Sequence, residues 1–117
     1  MAILRRYAEQ GAERKANLDV GLARFLETCR SETTVHAVYV HGSFALGTVG
    51  PSSDLDLLVV RETALGQAER GVDLVLRARA GVPLDVLVVT PEEFDTELPT
   101  TTYGATIIRT MRRVDAT

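Results

Sequence analysis

The sequence contains very few of the residues that form covalent or metal cross-links. Among its 117 residues, Cys29 is the only cysteine, and His36 and His41 are the only histidines. An intrachain disulfide is therefore excluded, and the ligand spacing of a structural zinc site is missing. A lone cysteine fits a reducing compartment, so we expect a cytoplasmic protein.

Long apolar runs are also missing. Arg5 and Arg6 interrupt the N-terminal segment after four residues, and the runs Leu57–Val60 and Val86–Val89 are equally short. A helix that spans a membrane needs about 20 mostly apolar residues. We therefore expect neither a membrane span nor an export signal.

Excess positive charge is the third absence. The 13 basic and 16 acidic residues give a formal net charge of −3, the wrong sign for an extended nucleic-acid surface. Nearly all the cations are arginine, which genome composition and solvated helix faces explain. With 45% hydrophobic and 25% charged residues, the composition is typical of one globular domain over residues 1–117. A large substrate would then be held by a partner or by a second copy, as a hetero- or homo-oligomer.

The hydrophobic pattern predicts alternating helices and strands. The predicted elements are a helix over 4–30 with a break near 11–17, a strand over 35–41, a turn of helix over 43–46 closed by Gly47, a strand over 54–61, a helix over 67–80 with Gly81 as its C-cap, a strand over 84–89, a short helix capped by Thr90, Pro91 and Glu93, and a final helix over 104–113. The strand over 54–61 is apolar on both faces beyond its first turn, which places it inside the sheet. The order predicts an α/β (α+β) fold with a small mixed sheet covered by helices.

Three acidic residues lie at the starts of apolar strands. Asp54 and Asp56 are two apart, so their carboxylates leave the same face with Cα atoms about 6–7 Å apart. Asp85 begins the next strand, and it joins the pair if the two strands are neighbours. Carboxylates held this close repel each other, and one or two Mg²⁺ ions would neutralise them while binding a triphosphate.

The segment before these acids contains groups suited to phosphate. Gly42 follows a strand and lets the backbone approach a ligand, while Ser43 opens a short helix with free N–H groups and a hydroxyl. Ser53, directly before Asp54, is a further candidate nucleotide contact. Taken singly, each of these features is explained equally well by ordinary turn chemistry.

Taken together, these residues resemble a known family. Gly42-Ser43, ten further residues and then Asp54-Leu55-Asp56 resemble the signature of the DNA polymerase beta-like nucleotidyltransferase superfamily. The short length is similar to its minimal nucleotidyltransferase branch. The resemblance extends from the leading helix through 53–60 and 83–94 to the terminal helix, and it implies the palm-like fold of that superfamily.

The resemblance also implies roles for individual residues. Asp54 and Asp56 match the metal-binding pair, Asp85 matches the third carboxylate, a metal ligand and base toward the incoming hydroxyl, and Gly42 and Ser43 match the phosphate-contacting turn. It implies Mg²⁺, with ATP or another nucleoside triphosphate as substrate. Members of the branch are often paired with a HEPN-domain toxin, and several transfer AMP to a tyrosine of that toxin.

The sequence departs from the family pattern at Phe44 and Leu46, where many relatives have arginine. Arg61, Arg77 and Arg79 are candidates to replace that cation. The departure motivates an alternative function, a weak or inactive antitoxin that neutralises its partner by occupying it. We interpret His41 as structural rather than as a base, and the hydroxyls of Thr100–Tyr103 as parts of a loop.

Overall fold

A computed structural model describes residues 1–115 of the chain. In chain order, its elements are α1 (Ala2–Arg30), β1 (Val35–His41), α2 (Gly42–Leu46), β2 (Leu55–Arg61), α3 (Val72–Ala78), β3 (Leu84–Val89), α4 (Pro91–Thr96), a 3₁₀ turn (Leu98–Thr100), α5 (Thr102–Thr110) and β4 (Arg112–Arg113). The predicted α/β class and all three predicted strands are confirmed, with β2 beginning one residue later than expected. Within the described residues, no helix is both long enough and apolar enough to span a bilayer.

The four strands form one mixed sheet in the order β3-β2-β1-β4. β1 runs antiparallel to β2 and β4, whereas β2 and β3 run parallel. Of the six consecutive residues of β2 from Leu55 to Val60, only Asp56 is not buried. This confirms the prediction that β2 lies inside the sheet.

Alternation along β2 creates two separate apolar layers. Leu55, Leu57 and Val59 pack beneath α1 and α3 in a cluster that includes the fully buried Phe25. Leu58 and Val60 point to the opposite face, where the 3₁₀ turn and α5 cover them. Full burial of a large apolar side chain contributes about 1.5–3 kcal/mol, so both covers are strongly attached to β2.

The predicted break in the first helix is wrong, because α1 is continuous from Ala2 to Arg30. Its glycines mark close packing instead of a helix end. A Cβ at Gly11 would lie 3.0 Å from the Val49 carbonyl oxygen, and one at Gly21 would lie 2.5 Å from a Val82 methyl group. The loss of helix propensity at these glycines, about 1 kcal/mol each, is offset by the approach of neighbouring segments.

The second predicted helix differs from α3 in its bounds and in its buried face. Residues 67–71 form turns because their side chains are tied to other elements: Gln67 donates to the Val88 carbonyl at 3.0 Å, and Arg70 pairs with Glu93. Arg79, not Gly81, caps the end of α3 with a φ of 46°.

The apolar residues Val72, Val75 and Leu76 recur at helical spacing in this segment, but of the three only Val75 packs against the core. Leu74 and Ala78 are buried, whereas Val72 and Leu76 remain 49% and 70% exposed. The small residues Gly71 and Ala78 allow the helix to approach the sheet on their own side, and this decides which face docks.

The C-terminal segment contains the other differences. α5 begins at Thr102, where the Thr101 side chain accepts from the Gly104 N–H, and it ends at Thr110. The following pair Arg112–Arg113 is a short strand opposite Tyr39 and Val40 rather than the last turn of a helix. The capping box of α4, formed by Thr90 and Glu93, is confirmed.

Candidate active site

Three neighbouring strands, β3, β2 and β1, place one titratable residue each in a single row across the sheet. Asp56 lies opposite His41 of β1 and opposite Asp85 of β3. Because side chains alternate along a strand, the three project to the face that also carries Leu58 and Val60. β2 and β3 are neighbours, so the condition under which Asp85 joins Asp56 is met.

Asp56 is the electrostatic centre of this row. Burial raises the pKa of its carboxyl, His41 opposes that shift, and the negative charges of Asp85 and Asp54 raise the pKa further. The carboxyls of Asp56 and Asp85 are also close enough to share a hydrogen bond when one is protonated. A bound cation would stabilise the ionised Asp56 carboxylate, because its positive charge offsets the repulsion that raises the pKa of that group.

Position 42 must be a glycine because of its backbone conformation and because the Asp56 carboxylate lies against it. Its φ of +66° lies in the left-handed region, and a Cβ built on it would overlap Oδ2 of Asp56. The sequence predicts that the glycine makes room for a ligand; the structure shows that it makes room for Asp56 beside the start of α2. Gly42, the first residue of α2, therefore lies against the Asp56 carboxylate.

His41 is the buried member of the row, with 7% of its surface exposed. Burial lowers the pKa of its imidazole, and the nearby charges of Asp56 and Asp85 partly oppose this. A neutral ring at the end of β1 agrees with our structural interpretation of His41, although the sequence alone did not indicate that it adjoins Asp56.

The turn before β2 is held by several hydrogen bonds. The Ser53 hydroxyl accepts from the Gly50 N–H at 2.9 Å, and Arg14 Nε donates to the Ser53 carbonyl oxygen at 2.8 Å. This fixes the backbone that presents Asp54, which is exposed just before β2. The hydroxyl proton of Ser53 is still available, so its contact with a nucleotide stays a prediction.

The carboxylates suit a hard divalent cation, although their assembly is incomplete. Within residues 1–115, no three His, Cys, Asp or Glu side chains are grouped tightly enough to hold a metal ion. Asp56 and Asp85 form a facing pair, and Asp54 is close enough to influence the pKa of Asp56. Carboxylate oxygens are the ligands that Mg²⁺ prefers, so the residues fit that ion.

Two of the arginines suggested to replace the missing family cation belong to another part of the molecule. Arg61 lies at the far end of β2, where it binds both carboxylate oxygens of Asp73 at 2.7 and 2.9 Å. Arg77 pairs with Glu32 at 2.6 Å beside it. These two guanidiniums are occupied and point away from the carboxylate row, so that suggestion is wrong for both.

The cations that do approach the Gly-Ser segment come from α1. Lys15 Nζ lies 5.6 Å from the ring centroid of Phe44, and Arg14 binds the turn before Asp54. Neither was predicted, because α1 precedes the segment by almost 30 residues and only the docking of the helix brings them together.

The chain is similar to known proteins in sequence and in fold. Residues 22–112 match the family model described as a nucleotidyltransferase domain, a range that includes Gly42, Ser43, Asp54, Asp56 and Asp85. A protein of Sulfolobus solfataricus that has been assigned to the nucleotidyltransferases has 26% identity and a TM-score of 0.53, over 74% of this chain and 78% of that chain.

A toxin–antitoxin complex with AMP-PNP gives a TM-score of 0.54 with 17% identity, over 78% of this chain and 69% of that chain. At that identity the likeness concerns the fold alone. No protein of curated function matches the sequence.

Proposed function

Because the chain belongs to the nucleotidyltransferase domain family, we propose that it transfers AMP from ATP, with Mg²⁺, to a hydroxyl of a partner protein. The observation that supports this most strongly is the register pair of Asp56 and Asp85, with Gly42 leaving space for the Asp56 carboxylate. Two facing carboxylates beside the start of a short helix suit a polyphosphate and its cation.

In this proposal, Asp54, Asp56 and Asp85 hold Mg²⁺. When bound, the ion neutralises charge on the phosphates and on the carboxylates. The N–H groups at the start of α2 and the Ser43 hydroxyl donate to phosphate oxygens. Asp85 accepts the proton of the incoming hydroxyl, and the site mainly aligns the two reactants.

We further propose that the acceptor belongs to a toxin of the HEPN class. The solved neighbour that is a toxin–antitoxin complex with AMP-PNP supports a protein partner and an adenine nucleotide. The carboxylate row is open on the Asp54 side, since that residue is exposed. An open approach suits an acceptor presented by a second protein.

One observation favours the alternative, neutralisation by binding alone. Phe44 is buried and Leu46 is 59% exposed at the two positions where many relatives have arginine. Without a cation there, the phosphates would be held by fewer charges, and the chain could still cover a partner.

The experiment combines the purified chain, ATP labelled on its α-phosphate, Mg²⁺ and a purified HEPN-class protein of the kind proposed as its partner. We expect label on the partner, and a loss of at least about 100-fold in Asp56→Asn and Asp85→Asn, typical for removal of charge at a reacting phosphate. Asp95→Asn is the matched control, since Asp95 is an exposed aspartate on α4. Equal labelling by all variants contradicts catalysis at this row, and neutralisation that survives both active-row substitutions supports the binding alternative.

A further inference from the structure

α5 crosses the face of the sheet that carries the carboxylates. Its C-terminal end is fixed at the β1 edge, because the chain passes directly into β4, which pairs with Tyr39 and Val40. Its middle is fixed over β2, because Ile107 packs with Leu58 and Val60. The helix therefore runs from the β1 edge toward β3, and its contact with α2 keeps it at the carboxylate end of the sheet.

This path locates Tyr103 over the carboxylates. Tyr103 and Ile107 are four residues apart on one face of α5, and Met111 follows as the C-cap of the helix; Ile107 and Met111 pack on the apolar layer. Eight residues of helix rise about 12 Å, or about two and a half strand spacings. Counted from Met111 at the β1 edge, that length reaches β2 and β3, the strands of Asp56 and Asp85.

The surroundings of the phenol agree with this location. Burial raises the pKa of Tyr103, and the negative charges of Asp85 and Asp56 raise it further. Yet 59% of the residue is exposed, although Ile107 on the same face of α5 is buried. Tyr103 is not among the residues that pack on the apolar layer, and the two charges that act on its phenol are those of Asp85 and Asp56.

The hydroxyls of Thr100 and Thr101, just before α5, are already engaged in local hydrogen bonds. The Thr100 hydroxyl donates to the Glu97 carbonyl oxygen at 2.6 Å, and the Thr101 hydroxyl accepts from the Gly104 N–H at 2.9 Å. These hydroxyls are used to build the 3₁₀ turn and the cap of α5. Tyr103 carries its hydroxyl on a longer and more exposed side chain.

We propose that Tyr103 is an internal acceptor, so that the chain nucleotidylates its own tyrosine at the mouth of the site. The inference rests on the proposed function, since it uses the same triphosphate and the same carboxylates. The phenol oxygen attacks the α-phosphorus, and the new bond replaces the bond from that phosphorus to the oxygen shared with the β-phosphate. Pyrophosphate leaves with that electron pair, and the phenol proton passes to Asp85.

Pyrophosphate should reverse the reaction, as it would reverse labelling of a partner, because the same bond is broken and the triphosphate is regenerated. One kinetic property distinguishes the reaction from transfer between two molecules. Its rate per molecule does not depend on protein concentration, because donor site and acceptor belong to one chain.

The test incubates the purified full chain alone with Mg²⁺ and ATP and measures its intact mass. We expect a gain of one AMP unit, which peptide mapping places on Tyr103, and loss of that gain in Tyr103→Phe and in Asp56→Asn. Tyr7→Phe is the matched control, because Tyr7 is 60% exposed and lies on α1. It should keep the full gain, and added pyrophosphate should remove it.

A second measurement separates this inference from the proposed function. Binding of ATP with Mg²⁺ and labelling of the partner protein are followed in wild type and in Tyr103→Phe. If the wild-type chain binds ATP and labels the partner but gains no mass, the internal acceptor is refuted and the proposed function stands. If it neither binds ATP nor labels any protein, both are refuted. Labelling that rises with protein concentration, or that survives Tyr103→Phe, also overturns the internal acceptor.

Discussion

Substitution of Gly42 by alanine is the most direct perturbation of the site. The new Cβ meets two obstacles that act independently. The φ of +66° lies in a region that disfavours any side chain, and the Cβ would overlap the Asp56 carboxylate. Gly42→Ala should therefore reduce stability and displace the carboxylate that we place at the centre of the site.

The two costs can be estimated separately. A left-handed backbone costs an alanine about 1–2 kcal/mol. To avoid the Cβ, Asp56 must leave its preferred side-chain torsion, which adds about 0.5–1.5 kcal/mol. The expected loss in the free energy of unfolding for Gly42→Ala is thus about 1.5–3.5 kcal/mol.

Gly47 provides a matched control within the same segment. Its φ is +74°, and a Cβ built there has nothing within 4 Å. Gly47→Ala should therefore cost only the backbone contribution of about 1–2 kcal/mol. It should also leave nucleotide binding intact.

The assay is urea unfolding of both variants in the wild-type and Asp56→Ala backgrounds. Removal of the Asp56 carboxylate should lower the cost of Gly42→Ala to that of Gly47→Ala, because the overlapping oxygen has gone. Equal costs for the two glycines in the wild-type background would refute the steric argument. So would a Gly42→Ala cost that is the same in both backgrounds, since neighbours that clash must show a coupling energy.

Two further predictions concern the core and the charge of the site. Leu74→Ala should lower the free energy of unfolding by about 2–5 kcal/mol in the same assay. Leu76→Ala should leave it almost unchanged, because Leu76 is 70% exposed. Similar losses for the two variants would contradict the observed docking face of α3. Folding raises the pKa of Asp56, so the folded protein binds this proton more tightly than the unfolded chain does. The contribution of the proton to the free energy of unfolding is complete below the ordinary carboxyl pKa of about 4. It is lost as pH rises through the higher pKa of the folded protein. Without Mg²⁺, Asp56→Asn should therefore gain stability relative to wild type as pH rises through that window. Mg²⁺ should stabilise wild type only. A difference in the free energy of unfolding between the two proteins that does not change with pH would contradict this prediction.

The strands and the α4 cap could be predicted because each depends on residues close together in the sequence. β1 and β3 are short apolar runs that end at a histidine and at a capping threonine, and alternation along them sets the register once they pair. The juxtaposition of Asp56 and Asp85 could be predicted from the same pattern, on the condition that β2 and β3 are neighbours. Local rules are sufficient where the residues that decide a feature are adjacent.

The features that were not predicted depend on packing between distant segments. The spacing of Val72 and Leu76 is helical, but the small residues on the opposite side of α3 decide which face docks. Arg112–Arg113 form a strand only because the edge of β1 is available to pair with them. The placement of Tyr103 needs the path of α5 across three strands, and no local pattern contains that path.

The carboxylate row is where the chain departs from the rules that the rest of the sheet obeys. Two rows of this face are apolar, with Leu58 and Val60 at their centre and α5 above them. A third apolar row would have added about 1.5–3 kcal/mol for each large side chain fully buried. The chain instead places Asp56 where burial and like charge raise its pKa, and Gly42 in a conformation that few other residues can adopt. β2 tolerates the buried carboxylate because Leu55 and Leu57, on either side of Asp56, are buried in the apolar layer on the opposite face of the sheet. Packing on that face therefore offsets the energetic cost of the carboxylate row.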